Sequence, residues 1–148
     1  MGIMKKKQKP CPCCGRYPTR SVTIDALIVQ NKKILLIKRG VTPYKDRWAL
    51  PGGHVDFDET VEEAVRREVR EETNLTVTSA KLLGVYSSPK RHPKQAVAVS
   101  YIVDAKGDAK AGDDAENLDF FPLDDLPENL AFDHKEIIGD YLAKAGIA

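Results

Sequence analysis

From Val22 to Val29 the chain runs through β-branched and apolar residues, the pattern of a strand. Gln30-Asn31-Lys32 reads as a turn into a second apolar run from Lys33 to Lys38, so the two form a hairpin. Pro43, Pro51, Gly52 and Gly53 then punctuate a loop region that holds the only tryptophan, Trp48. At Val61 the period changes to that of a helix, which continues to Thr73. Strand patterns return at Val77 to Tyr86 and Ala96 to Val103, and more weakly at Leu118 to Phe121. A closing helix is expected over Phe132 to Ala145, with Asp133 as its cap. No internal repeat is visible. This order of elements predicts the α/β class, a mixed sheet flanked by helices.

At 148 residues there is room for one domain, placed at 21–148. Residues 1–20 differ in composition and read as a solvated lysine-rich tail carrying a cysteine-rich knuckle. A net charge of +1 offers no general attraction for nucleic acid or an anionic membrane. No apolar run is long enough to span a bilayer. The basic start lacks an apolar signal core, so a cytoplasmic protein is expected. Cys11, Cys13 and Cys14 crowd together, which suits a reducing compartment better than a disulfide framework. Cys11 and Cys14 have the Cys-x-x-Cys spacing of a zinc knuckle, but structural zinc takes four ligands. Cys13 is badly placed for the same ion. Completing a Zn2+ site would need His54, His92, His134 or a second subunit, and a metal-free remnant is the favoured reading.

The segment from Gly52 to Leu75 carries the chemistry. Thr60 and Glu63 form a capping box, and Asn74 stands where a left-handed residue ends a helix. At about 100° per residue, Val61, Ala64, Val65, Val69 and Leu75 share one core-facing stripe. Glu68 and Glu72 fall in the middle of that stripe, and Glu71 lies at its edge. Glu62, Glu63, Arg66, Arg67 and Arg70 point elsewhere, with Glu62–Arg66 and Glu63–Arg67 at favourable i,i+4 spacing. Three acids thus gather at the negative end of the helix dipole, two of them on a face expected to be buried. Crowded carboxylates raise one another's pKa unless a cation neutralises them, and a hard divalent ion prefers oxygen ligands. The alternative is a solvated helix end with salt bridges to Arg67 or Arg70.

Gly53, five residues, Glu59, seven residues, then Arg67-Glu68-Val69-Arg70-Glu71-Glu72-Thr73-Asn74-Leu75 resembles the box of the Nudix hydrolases. Trp48-Ala-Leu-Pro-Gly-Gly resembles that family's lead-in. One departure is Asn74, where the family has glycine; at a helix stop the change is mild. The resemblance implies an α/β/α sandwich around a mixed sheet. It implies Mg2+, or Mn2+, held by Glu68, Glu71 and Glu72 together with the main-chain carbonyl of Gly52. It makes Glu59 and Arg67 braces of the loop and helix. The general base is drawn from different places within the family, and Glu68 and Glu116 are the candidates here.

Leu82-Leu-Gly-Val-Tyr-Ser-Ser-Pro89 resembles the ADP-ribose pyrophosphatases of the family, in which a proline lies about fifteen residues beyond the box; Pro89 stands fifteen after Asn74. The implied reaction is hydrolysis of the diphosphate of ADP-ribose to AMP and ribose 5-phosphate. Lys38, Arg39, Arg91 and His92 are candidates to grip phosphate, and Tyr86 or Phe120 to stack on a base. Two other readings stay open: a MutT-like nucleoside triphosphate pyrophosphohydrolase, and a non-catalytic nucleotide sensor. The expected partner is a small nucleotide, neither nucleic acid nor membrane, and many relatives pair into homodimers.

Overall fold

The computed structural model describes residues 8–112 and 115–146, and the side chains of all of these except 115 and 116. Strands β1 (Val22–Gln30) and β2 (Lys33–Arg39) form the expected hairpin. Asn31 and Lys32 turn it with both φ values positive, 52° and 60°, the twist that a two-residue hairpin loop requires. The hairpin is joined only near its tip, at Val29↔Ile34 and Gln30↔Lys33. Beyond that the strands splay. Strand β4 (Gly52–His54) takes the free edge of β1, while β3 (Trp48–Ala49) and β7 (Ala115–Pro122) pair with β2. On the other edge of β1 lies β6 (Val97–Lys106), in parallel, followed by antiparallel β5 (Thr76–Tyr86).

Helices α1 (Val61–Thr73) and α2 (His134–Lys144) complete the layers. Alternation along β1 decides which residue meets which helix. Ile24, Ala26 and Ile28 join Ala64, Val65 and Val69 of α1 in one core. Leu27 joins Ile34, Leu36 and Leu50 against Ile137 and Ile138 of α2 in the other. The result is an α/β/α sandwich whose central strand is buried on both faces.

Several expectations need correction. Trp48–Ala49 and Gly52–His54, read as loop, are short strands, since both find a free edge left by the splayed hairpin. Strand β7 is longer than Leu118 to Phe121 because its pairing with β2 extends to Arg39↔Ala115. Glu62 and Glu63 are not paired with Arg66 and Arg67. Glu63 accepts the Thr60 N–H at 3.4 Å, Tyr101 donates to Glu62 at 3.3 Å, and Arg66 donates to the Val77 carbonyl at 2.9 Å. Asp133 sits at the N-cap of α2 but makes no capping bond, because its carboxylate accepts two bonds from Arg91.

Both ends of α1 are secured. The Thr60 hydroxyl accepts the Glu63 N–H at 3.1 Å, and Asn74 adopts φ 65°. Carbonyls at the far end accept N–H groups from Lys110 and Gly112, at 2.8 and 3.0 Å. Removing the N-terminal cap with Thr60→Ala should cost about 1 kcal/mol, measured by urea unfolding of the two proteins.

Candidate functional site

The splay between β1 and β2 opens a cleft of about 650 Å³, within the size range of small-molecule sites. Thr23 and Asp25 of β1, Ile37 and Arg39 of β2, the turn Gly52–His54, and Glu68 and Glu72 of α1 line it. Arg91 to Lys94 and the α2 lead-in, Phe132 and His134, close the far side.

Two glycines let the turn fit between β1 and α1. A Cβ on Gly52 would stand 2.1 Å from the Ile24 carbonyl oxygen and 2.9 Å from Asp25 Oδ1. A Cβ on Gly53 would stand 2.4 Å from Glu68 Oε1. The backbone therefore lies directly against the helix carboxylates, and the Gly52 N–H donates to Glu72 Oε2 at 2.9 Å. Burial pushes the Glu72 carboxyl up to about 8, against the opposing pull of that N–H. Burial also raises Glu68, although Arg67 draws it down.

Arg67 is the hub of the adjoining loop. Its Nε and Nη2 donate to Glu59 at 2.7 and 2.9 Å, and Nη2 also reaches the His54 carbonyl at 2.9 Å. Nη1 donates to Glu68 at 2.8 Å and to Glu71 at 3.2 Å. Glu59 in turn accepts the Asp56 N–H at 3.0 Å, and the Arg67 bonds hold its carboxyl down to about 2. The fork binds the loop before the helix to the helix itself.

Of the three acids singled out for metal, Glu68 and Glu72 face the cleft, whereas the Glu71 side chain is 59% exposed and lies outside its lining. The alternative partner, Arg67, engages Glu68 and Glu71 but not Glu72. Among the described residues no three acids, histidines or cysteines are already drawn tightly enough together to hold an ion. The donor set still suits a hard divalent cation. Glu72 and Glu68 are neighbouring carboxylates whose charged forms burial disfavours, beside a half-buried backbone turn, and a cation would take the place of the proton.

Arg39 has its Nε on the Pro43 carbonyl at 2.8 Å and its guanidinium over the Phe132 ring at 5.0 Å. Burial lowers its pKa, while Glu72 and Asp25 raise it. Phe132 also stacks on His92, with centroids 5.0 Å apart and planes within 6°. Arg91 lies in the cleft wall, but its donors are taken by Asp133 at 2.8 and 2.9 Å and by the Ala96 carbonyl at 3.0 Å. That residue fastens the loop.

Tyr86, Pro89, Phe120 and Lys38 are not among the cleft-lining residues. Tyr86 turns to α2, where its hydroxyl donates to Asp140 at 2.7 Å. Phe120 packs against the α1-side core. The Glu116 side chain lies outside the described residues. Cys11 and Cys14 lie in a tight turn, with the Gly15 N–H on the Cys11 carbonyl at 2.8 Å. Main-chain N–H groups of Cys14 and Cys13 lower the Cys11 thiol, and all three cysteines are free. Sequence reasoning missed Asp25 and the place of His134 and Phe132 in the cleft. A single charge within the apolar run of β1 was the available signal for Asp25.

Residues 19–141 match the NUDIX domain family. Over 128 residues the chain is 52% identical to an ADP-ribose pyrophosphatase of Methanocaldococcus jannaschii, a match covering 85% of this chain and 75% of that protein. The crystal structure of a MutT NUDIX hydrolase from Burkholderia pseudomallei is similar with a TM-score of 0.77 at 35% identity, covering 82% of this chain and 98% of that one. The NUDIX domain of Shewanella oneidensis NrtR, in a cocrystal with ADP ribose, gives a TM-score of 0.77 at 26% identity, covering 86% and 89%.

The two glycines should respond differently to alanine. Gly53→Ala meets only the movable end of Glu68, so the protein should fold while the thermal stabilisation conferred by added Mn2+ shrinks. Gly52→Ala meets fixed backbone and should lower the melting temperature without any metal. The Glu59 carboxyl is depressed from 4.5 to about 2, so its contribution to stability is complete above 4.5 and lost as pH falls towards 2. The stability gap between wild type and Glu59→Gln should accordingly be open near neutral pH and close across that window, as read by denaturant titrations.

Proposed function

Because the chain belongs to the NUDIX family, we propose that it cleaves the diphosphate of ADP-ribose, giving AMP and ribose 5-phosphate. The observation that carries this reading is the pair of acids, Glu68 and Glu72, set against the Gly52–Gly53 backbone at the wall of a nucleotide-sized cleft. The substrate is favoured by the M. jannaschii relative, which bears that activity in its name over most of its own length.

Glu68 and Glu72 would hold a divalent cation, Mg2+ or Mn2+, with the Gly52 carbonyl, and Glu71 would join from its exposed edge by turning its side chain. When bound, such an ion neutralises diphosphate oxygens and acidifies a water. The chain's own residues supply position and charge. Arg39, fixed by Pro43 and Phe132, lines the same cleft as the acids and would meet the anionic substrate. Arg67 keeps Glu68 in place through a fork anchored on Glu59. Proton removal from the attacking water falls to Glu68 or Glu116. His92 and Phe132 offer a flat wall at the loop side of the cleft for the nucleoside. The clustered free cysteines favour a reducing compartment such as the cytoplasm, and no described helix is long and apolar enough to cross a membrane.

Incubation with ADP-ribose, NADH, nucleoside triphosphates and dinucleoside polyphosphates, each with Mg2+, should show AMP release from ADP-ribose as the fastest reaction. A clear preference for a triphosphate would replace the substrate by the MutT-like one, and binding of ADP-ribose without turnover would favour the sensor. Glu72→Gln should lower kcat by roughly a hundredfold or more while circular dichroism shows an intact fold.

A further inference from the structure

His134 opens α2 with only 3% of its surface exposed, and its two ring nitrogens face different elements. Nδ1 accepts the Leu50 N–H at 3.0 Å. A ring nitrogen that accepts a hydrogen bond carries no proton, so this imidazole is neutral and its proton resides on Nε2. That nitrogen faces Asp25 Oδ1 at 3.4 Å. Asp25 is 6% exposed, and its second oxygen, Oδ2, is buried without a hydrogen-bond partner among the described residues. A buried carboxylate whose nearest polar side-chain contact is the His134 ring at 3.4 Å costs stability, so the fold alone gives no reason to keep it there.

The two residues act on one short stretch of backbone. Leu50 precedes Pro51, which has no N–H, and the next N–H, that of Gly52, goes to Glu72. On the β1 side the Pro51 carbonyl accepts the Ala26 N–H at 2.8 Å. The Leu50 N–H is thus the last donor before the turn, and His134 holds it on the α2 side. His134 is itself delivered by the lead-in to α2, where the Ala131 N–H donates to the Trp48 carbonyl at 2.8 Å and Trp48 bridges Leu130.

We propose that His134, oriented by Asp25, is a positioning residue for the cation site, fixing the Leu50–Gly53 turn so that the main-chain groups of Gly52 stay in register with Glu72. The kinetic part of this inference rests on the proposed ADP-ribose hydrolysis, whereas the structural part does not. A bond that served stability alone would leave divalent-ion affinity untouched once the protein had folded.

Two near-isosteric variants separate the bonds. His134→Gln keeps a donor where Nε2 stands and loses the acceptor for Leu50. His134→Asn returns an acceptor to the Nδ1 position and loses the contact with Asp25. Amide hydrogen exchange at Leu50 is followed in the metal-free chain, Mn2+ affinity by calorimetry, and kcat and KM with ADP-ribose. In His134→Gln, Leu50 protection should fall and Mn2+ affinity should weaken by about 10-fold or more. Its kcat should drop with KM little changed. His134→Asn should recover most of both Leu50 protection and Mn2+ affinity. A folded His134→Gln protein with wild-type Mn2+ affinity would overturn the proposal, as would equal losses in the two variants. Should the wild type fail to cleave ADP-ribose, the substrate reading falls while Leu50 exchange and Mn2+ affinity still decide the role of His134.

Discussion

Two carboxylates packed against bare backbone set the terms for the rest of this protein. Glu68 can lie where it does only because Gly53 presents no side chain to it, and Gly52, bare against β1, offers its N–H to Glu72. Their burial is unfavourable for the charged forms, which is why Glu72 is pushed up to about 8. The cap at Thr60, the carbonyls tied by Lys110 and Gly112, and the Arg67 fork all hold the acidic face of α1 against that penalty. The sheet contributes a gap. A hairpin joined along its length would leave no room for the turn, and the splay of β1 from β2 supplies that room.

The two readings of the acidic helix end, cation ligands or arginine partners, divide the acids between them. Arg67 takes Glu71 at the surface and one oxygen of Glu68. Glu72 is left to the backbone, with an amide as its single hydrogen-bond donor among the described residues. An arginine bound so firmly to Glu59 cannot follow Glu68 into the cleft, so it orients that carboxylate without covering it.

Local signals made much of this legible. The helix from Val61 to Thr73, its cap at Thr60 and its stop at Asn74 follow from capping chemistry and period, and the structure places them at those residues. The β1–β2 hairpin was readable for the same reason. What lay beyond local pattern was long-range pairing. Trp48–Ala49 and Gly52–His54 are strands only because distant edges await them. Arg91 reads as a free cation until Asp133, forty-two positions on, is seen to bind it. Tyr86 reads as a stacking ring until its hydroxyl is found on α2. His134 gave no local sign, since its partners come from β1 and from the turn before Pro51.

Asp133 and His134 are consecutive, yet one ties down the loop bearing Arg91 and the other the turn bearing Gly52. Both rims of the cleft are therefore fastened by a single step of chain, at the start of the final helix. Any shift of that step loosens the two rims together, so neither side of the cleft can be displaced at α2 without the other.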